Sequence, residues 1–430
     1  MNKEPKTILI YDDEPERKGK FKSELEKSLN EANQSKNFNV ASLDGPEFQN
    51  AVKALEQKRI NFREKNEIDF EGNSNNGMEK IDNASIFIID YDLLSSQEVG
   101  EKKNEEFFTG SLTGEIVAYL VRCFSRCKLI IGLNQYGNNP FDLTLRGDLD
   151  SFADLNLGGD QLDNPNLWMG DWQNSEQEFR PWSWPNLCDL LRDFDKRVKD
   201  VQDSLEKPIS EFLGFDRDLF ELLPREIVQF IWRDKEKEHF QTTFREFITK
   251  SGNGLRIKDA KGLGDDINKH KHVLARVGAA RISKWLEQLV LPEQDILVDA
   301  PHLVARFPSL ITGDKKEIGT WNETARLVDY ANLGLDTDPI EPYRFKKSYW
   351  ISRPVWFWDK LRECEDIKEV TEPWLTATPD WVFCEDASRF YNHEVCREFL
   401  ADTASPFTQR FVKYFNEDEV DYRPRARFSM

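Results

Sequence analysis

Residues 7–22 read TILIYDDEPERKGKFK: four apolar residues, Ile8 to Tyr11, run directly into Asp12 and Asp13, then Glu14, Pro15 and a lysine-rich helical segment. Adjacent carboxylates repel, so a buried strand that ends in two of them calls for a positive charge between them. The segments that follow show what kind of sheet holds such a strand. An amphipathic stretch over 16–32 precedes FNVASL (38–43), and PEFQNAVKALEQKR (46–59) places Phe48, Val52 and Leu55 at helical spacing. ASIFIIDYDLL (84–94) is a continuous apolar run ending in acids, as expected of a strand buried on both faces of a parallel sheet. TGEIVAYLVRCFSRC (113–127) reads as a helix and KLIIGLN (128–134) as the next strand. The alternation predicts a doubly wound α/β domain over residues 1–170. Ligands of such sheets bind at the carboxyl ends of the strands, where Asp12, Asp13, Asp90 and Asn134 fall.

With 430 residues the chain is long enough for two or three domains. Its 59 basic and 78 acidic residues leave a net charge of −19, which disfavours a sequence-independent grip on nucleic acid or an anionic membrane. The basic stretches YRFKK and YRPRARF are short and set among acids, so nucleic-acid binding is not expected. No run of ~18 apolar residues occurs, and MNKEPKT lacks the apolar core of a signal peptide, so the expected location is cytoplasmic. Six cysteines, at 123, 127, 188, 364, 384 and 396, form no CxxC pair. They are expected to be reduced and mostly packed, serving neither a zinc site nor a disulfide framework.

The segments ILIYDDEPERKGKFKSEL, NVASLDGPEFQNAVKAL, IFIIDYDLL and TGEIVAYLVRCF…KLIIGLN, in that order over about residues 5–165, resemble the receiver domains of bacterial two-component response regulators. The resemblance implies a five-stranded, flavodoxin-like parallel sheet, the family's acid pair at Asp12 and Asp13, and a phosphoacceptor at Asp90. A carboxylate attacks a phosphoryl group only when a hard cation neutralises both, and Mg²⁺ held by Asp12, Asp13 and Asp90 would suit that role. Two departures stand out. Asn134 falls where the family has a hydroxyl residue that contacts the phosphoryl group; its amide donates a hydrogen bond but has no hydroxyl. The family's lysine after the fifth strand has no counterpart, because no lysine occurs from Leu129 to Asp195. The nearest register match, GGDQLDNP, puts Asn164 before Pro165. Both departures favour a pseudo-receiver or a weakly phosphorylated receiver.

Two inserts interrupt the pattern. NFREKNEIDFEGNSNNGMEKIDN (61–83) reads as a surface loop, and SSQEVGEKKNEEFFTGSLTG (95–114) is longer than such a connection needs, either as a lid or docking surface or as a solvated excursion. In residues 186–206, Leu187, Leu191, Phe194, Val198, Val201 and Leu205 alternate by four and three. This seam of roughly three heptads fits a linker helix that pairs two chains into a homodimer, or an amphipathic helix packed on the C-terminal core.

Residues 207–430 are expected to form a mainly α-helical region, with helices over 225–250 and 268–291 and a loop over 255–266. The second helix would bury Val273, Val277, Ile282, Trp285 and Leu289. Three tryptophans within nine residues, in KKSYWISRPVWFWDKL (346–361), point to a core or an interface. Asp299 and His302, and Cys384, Glu385 and Asp386 with His393 nearby, would make a metal site or a nucleophile and base if the fold converged them. Asp299 before Ala300 and Pro301 is also a natural helix N-cap. The expectation is a signalling protein whose receiver-like domain is coupled to a region that binds protein partners, such as a histidine kinase or a neighbouring effector. The alternative is an effector with an enzymatic C-terminal half in a stress or phage-defence (antiviral defense) system.

Overall fold

The structure, a computed structural model, describes residues 5–65, 75–93, 112–134, 143, 148–169, 181–185, 187–232, 239–263, 267–307, 310–311, 315–324, 340–351, 353–362, 380–400 and 409–415. Strand β1 (Lys6–Tyr11) lies between β2 (Phe38–Ser42) and β3 (Ala84–Asp90), and β4 (Leu129–Leu133) and β5 (Leu155–Leu157) extend the sheet beyond β3. All four pairings are parallel, giving the order β2-β1-β3-β4-β5. That is the flavodoxin-like order, which leaves a ligand crevice where β1 and β3 diverge. The unbroken apolar runs follow from position: Ile8, Leu9, Ile10, Ile86, Phe87, Ile88 and Ile89 are all fully buried, with layers on both faces of the sheet.

Helices α1 (Pro15–Glu31), α2 (Gly45–Lys65), α3 (Asn76–Asn83) and α4 (Gly114–Phe124) provide the crossovers. Pro15 starts α1, where its missing N–H costs nothing, and the Thr113 hydroxyl accepts from Ile116 N to cap α4. The loop expected over 61–83 is partly helical: α2 runs to Lys65, and α3 begins after Asn75, whose side chain accepts from Met78 N at 2.8 Å. Burial of Phe62, Met78 and Ile81 outweighs the polar composition that suggested a loop. The insert at 95–111 lies outside the described residues. After β5 come the short helices α5 (Gly159–Leu162) and α6 (Pro165–Trp168), and Trp168 packs edge-on against Phe38.

Helix α7 (Leu187–Asp203) carries the heptad seam. Leu187, Leu191, Phe194, Val198, Val201 and Leu205 are at most 5% exposed within this single chain, so the seam is filled by the molecule's own core. Its neighbour is the Lys271–Trp285 helix, whose expected stripe of Val273, Val277, Ile282 and Trp285 is likewise buried. That helix also ties itself to the parallel sheet. Arg281 Nη1 donates to the carbonyls of Leu149 (2.5 Å) and Ser151 (2.7 Å), and Lys284 Nζ to those of Ser151 (3.2 Å) and Ala153 (2.9 Å), just ahead of β5. One continuous buried core consequently runs from Ile8 to Phe357.

The mainly helical expectation for residues 207–430 requires correction. Strands β6 (Leu297–Asp299) and β7 (Val355–Phe357) form an antiparallel pair, and β8 (Trp381–Cys384), β9 (Arg389–Asn392), β10 (Arg397–Leu400) and β11 (Gln409–Val412) form a four-stranded sheet in the order β10-β11-β8-β9. The tryptophan-rich segments feed a second core that includes Trp182, Trp321, Trp356, Trp358 and Phe390. The single helix expected over 225–250 is two, Arg225–Ile231 and Phe244–Lys250; Thr243 and Glu246 close a capping box that starts the second. The loop expected over 255–266 contains a short helix, Ile257–Ala260. Among the described residues, no helix is long and apolar enough to cross a membrane.

Candidate acidic site

Asp12 and Asp13 directly follow β1, and Asp90 is the last residue of the adjacent β3. Parallel pairing with Tyr11 opposite Ile89 puts the three carboxyl groups at one strand end, where one oxygen from each lies within 4.8 Å of the others. Asp12 and Asp90 are 1% exposed. Three acids this close and this dry need a counter-charge, and the first turn of α1 supplies it. Arg17 Nε donates to Asp12 Oδ2 at 2.6 Å and its Nη2 to Asp12 Oδ1 at 3.0 Å, a fork on one carboxylate. The same Nη2 donates to Asp90 Oδ2 and lies 3.5 Å from Asp13 Oδ1, while Nη1 is 3.6 Å from Glu14. The guanidinium is therefore the positive group that the sequence of β1 calls for.

Backbone donors complete the cluster. Glu14 N donates to Asp12 Oδ1 at 2.8 Å and Asp92 N to Asp90 Oδ1 at 3.1 Å. Burial pushes the Asp90 carboxyl above its ordinary range and the nearby Asp12 and Asp13 add to this, against the pull of Asp92 N–H and Arg17. Burial lowers the Arg17 guanidinium, but its hydrogen bond to Asp12 and the charges of Asp12, Asp90 and Glu14 outweigh that and hold it above its usual value. Burial and the charges of Asp13, Asp12 and Asp44 push Tyr11 up to about 12. Lys18, next in sequence to Arg17, is used elsewhere: its Nζ donates to Leu43 O at 2.8 Å.

Asn134 occupies the neighbouring strand end, one residue beyond the Asp90–Leu133 pair, and is exposed. Its backbone N–H donates to Leu157 O at 2.8 Å and closes β4 onto β5. The register match that set Asn164 at the lysine position fails: β5 ends at Leu157, Gly158 and Gly159 follow, and Asn164 caps α6 by accepting from Asn166 N. Tyr91 leaves the site in the opposite direction from Asp90. Its ring covers Gly132, where a Cβ would come within 2.5 Å, and its hydroxyl bonds Glu115 Oε2 (3.0 Å) and Ser151 Oγ. Gly114 is required as well, since a Cβ there would sit 2.3 Å from Asp90 O. Arg17, Tyr91 and Gly114 are the residues sequence reasoning passed over. For Arg17 the signal was present, an arginine four residues after Asp13 on the first turn of the helix.

The donor chemistry of Asp12, Asp13 and Asp90 fits a hard divalent cation such as Mg²⁺, which favours carboxylate oxygens and keeps several waters. Arg17 occupies both oxygens of Asp12 and Oδ2 of Asp90, so a cation held by Asp12 would have to compete with it.

In the C-terminal region the structure converges part of the second candidate set. Asp299 caps the Ala300–Arg306 helix and accepts from His302 N (3.1 Å) and from His302 Nδ1 (2.8 Å). Arg410 Nη1 meets the same ring, 2.6 Å from Nδ1 and 2.7 Å from Nε2, so the imidazole is held between Asp299 and the guanidinium. Arg410 Nε in turn donates to Glu385 Oε1 at 2.5 Å. Burial, then Arg410, lowers His302 to about 4, and burial raises Glu385 to about 7 in spite of Arg410. Asp299, His302, Glu385 and Arg410 are each at most 4% exposed, so the cluster is a buried clamp between β11, β8 and that helix. Asp386 is used locally, accepting from Lys413 N and Tyr414 N. Cys384 turns to Cys396, and His393 lies on a separate one-turn helix.

The fold and site together define a parallel α/β sheet with an arginine-neutralised acid cluster at its switch point. No family model matches the chain, and no curated protein and no solved structure is significantly similar to it.

Proposed function

We propose that the chain is a signalling protein whose N-terminal sheet is a pseudo-receiver, held by Arg17 in the state a bound cation would otherwise impose, and coupled to a C-terminal region that binds protein partners in the cytoplasm. The observation that carries this reading is the Arg17 guanidinium forked on Asp12 and bonded to Asp90. In a working receiver, the metal neutralises these acids and a lysine pairs with the phosphorylated aspartate. Here one tethered arginine neutralises the acids, and a glycine pair follows β5. The buried Asp90 is a poor nucleophile while Arg17 holds its Oδ2. When Mg²⁺ is bound, by Asp12, Asp13 and Asp90, it would supply charge neutralisation for phosphoryl transfer; Asn134 would offer an amide donor at the rim.

Coupling of the acid site to the C-terminal region is supported by the way Tyr91 links the two. Its hydroxyl bonds Ser151, whose carbonyl is held by Arg281 and Lys284 of the Lys271–Trp285 helix. The test is exposure of the intact protein to acetyl phosphate with Mg²⁺, read by intact mass. The proposal expects little or no phosphoryl adduct on the wild type. A stoichiometric, stable adduct that disappears in Asp90→Asn would make the chain a phosphorylated receiver instead.

A further inference from the structure

Five of the six cysteines fall on described residues, and three of those five are explained by packing. Cys123 and Cys127 are buried, with thiols that burial pushes up to about 12, and Cys188 donates to Trp168 O at 3.3 Å with its thiol pushed by burial up to about 11. Such thiols are inert. Cys384 and Cys396 differ. Cys384 ends β8 and is fully buried; Cys396 immediately precedes β10 and is half-buried. Their Sγ atoms are 3.0 Å apart, a separation with no room for an intervening atom.

The two sulfurs also differ in access and in the charges around them. The Cys384 hydrogen bond pulls the Cys396 thiol below its ordinary value against burial, with the Lys413 ammonium helping and Asp386 opposing, while that same bond and burial push Cys384 far up. The more accessible sulfur is thus the better thiolate, and the buried one is placed to attack it. An accessible attacking thiol backed by a resolving thiol is the arrangement that disulfide exchange needs. The intervening residues hold the 385–388 turn, β9 and the one-turn helix His393–Val395, which turns the chain into β10 and brings Cys396 back to Cys384.

We propose that Cys384 and Cys396 form a redox-active dithiol site that reacts with small-molecule disulfides of the glutathione class and closes reversibly to an intramolecular disulfide. Cys396 thiolate attacks one sulfur of the oxidant, the oxidant's S–S bond breaks, and one thiol leaves. Cys384 Sγ then attacks Cys396 Sγ, its proton passes to the departing thiolate, and the second thiol leaves. Two electrons and two protons move from the protein to the oxidant, which ends as two thiols. The bond would tie the end of β8 to the start of β10 across β11, one residue from Glu385 and its hold on Arg410. This site shares no residue with the acid cluster and stands or falls independently of the pseudo-receiver reading.

The experiment incubates the intact protein with oxidised glutathione, alkylates the remaining thiols under denaturing conditions and measures mass. The expected result is the loss of two alkylatable thiols with no retained glutathione, a crosslink mapped to Cys384 and Cys396, and reversal by dithiothreitol. Cys384→Ser is expected to trap one glutathione on Cys396, and Cys396→Ser to trap none at this site. Full alkylation of the wild type, or a glutathione adduct that persists on wild-type Cys396 without closing, would overturn the proposal. The wild-type measurement decides even if a serine variant fails to fold.

Discussion

Arg17, at the rim of the parallel sheet, is 18% exposed at its side chain and divides its charge among Asp12, Asp13, Glu14 and Asp90, whereas Arg410, inside the C-terminal sheet, is 4% exposed and grips Glu385 and His302. Both guanidiniums neutralise buried carboxylates through forked donors. They differ in access and in the number of partners. A guanidinium at a sheet rim, surrounded by excess acid, can be exchanged for another cation with water replacing its lost hydrogen bonds. One sealed between a helix and two strands cannot leave without stranding a charge. Identical chemistry therefore gives an exchangeable site in one region and a structural clamp in the other.

The comparison breaks most visibly at Arg410. Arg410→Met leaves Glu385 buried without its partner, and breaking such a pair costs about 3–5 kcal/mol. Urea denaturation should show that loss; a variant as stable as the wild type would remove the clamp. A similar cost, about 3–5 kcal/mol, is expected for Phe194→Ala, which opens a cavity in the core that α7 shares with the Lys271–Trp285 helix. Because that core is continuous with the N-terminal sheet, tryptophan fluorescence and far-ultraviolet circular dichroism should report one transition. Two separated transitions would mean that the sheet and the C-terminal region unfold independently.

Lys284 sits at the joint between the two regions. Burial, then Arg281, lowers its ammonium from the ordinary 10.5 to about 7. Between pH 7 and 10.5 the unfolded chain therefore binds more protons than the folded one at this group, so stability contributed here rises with pH across that window and is flat below it. The slope is at most about 1.4 kcal/mol per pH unit. Lys284→Met should abolish it, as read from denaturation midpoints at pH 7, 8 and 9; an unchanged slope would assign the pH dependence elsewhere. Arg17→Ala leaves the buried carboxylates of Asp12 and Asp90 without their shared counter-charge, and because the arginine itself is 18% exposed and water can enter in its place, the loss of stability is expected to stay below the Arg410 cost, at about 1–3 kcal/mol in the same urea denaturation.

Much of the N-terminal half was legible. Runs such as Ile86–Ile89 have no polar residue to place in water, which identifies central parallel strands, and the acids that end them mark the crevice. The convergence of Asp12, Asp13 and Asp90 followed from that. Arg17 was hidden among lysines and arginines that mostly serve solvent, although Pro15 fixes the start of α1 and hence the turn on which Arg17 stands. The C-terminal sheet was missed because its strands are only four residues long and mix apolar with charged positions. WVFC, the turn 385–388 and RFYN nonetheless form a hairpin, with Ser388 in the left-handed region at φ 51° closing the turn. Likewise the Thr243-to-Glu246 spacing announced a helix start inside what read as one long amphipathic segment. The Cys384–Cys396 contact is set by the turn after that hairpin, where His393–Val395 leads the chain into β10, which no spacing rule for cysteines encodes.

Titration of Mg²⁺ into wild-type protein, Arg17→Ala and Arg17→Ala/Asp90→Asn by calorimetry tests the exchangeable-cation account most directly. If the guanidinium competes for the oxygens of Asp12 and Asp90, Arg17→Ala should bind Mg²⁺ at least about tenfold more tightly than the wild type, a difference of about 1.4 kcal/mol, and the double variant should lose that gain. Equal affinity of wild type and Arg17→Ala, or a gain that survives Asp90→Asn, would contradict it.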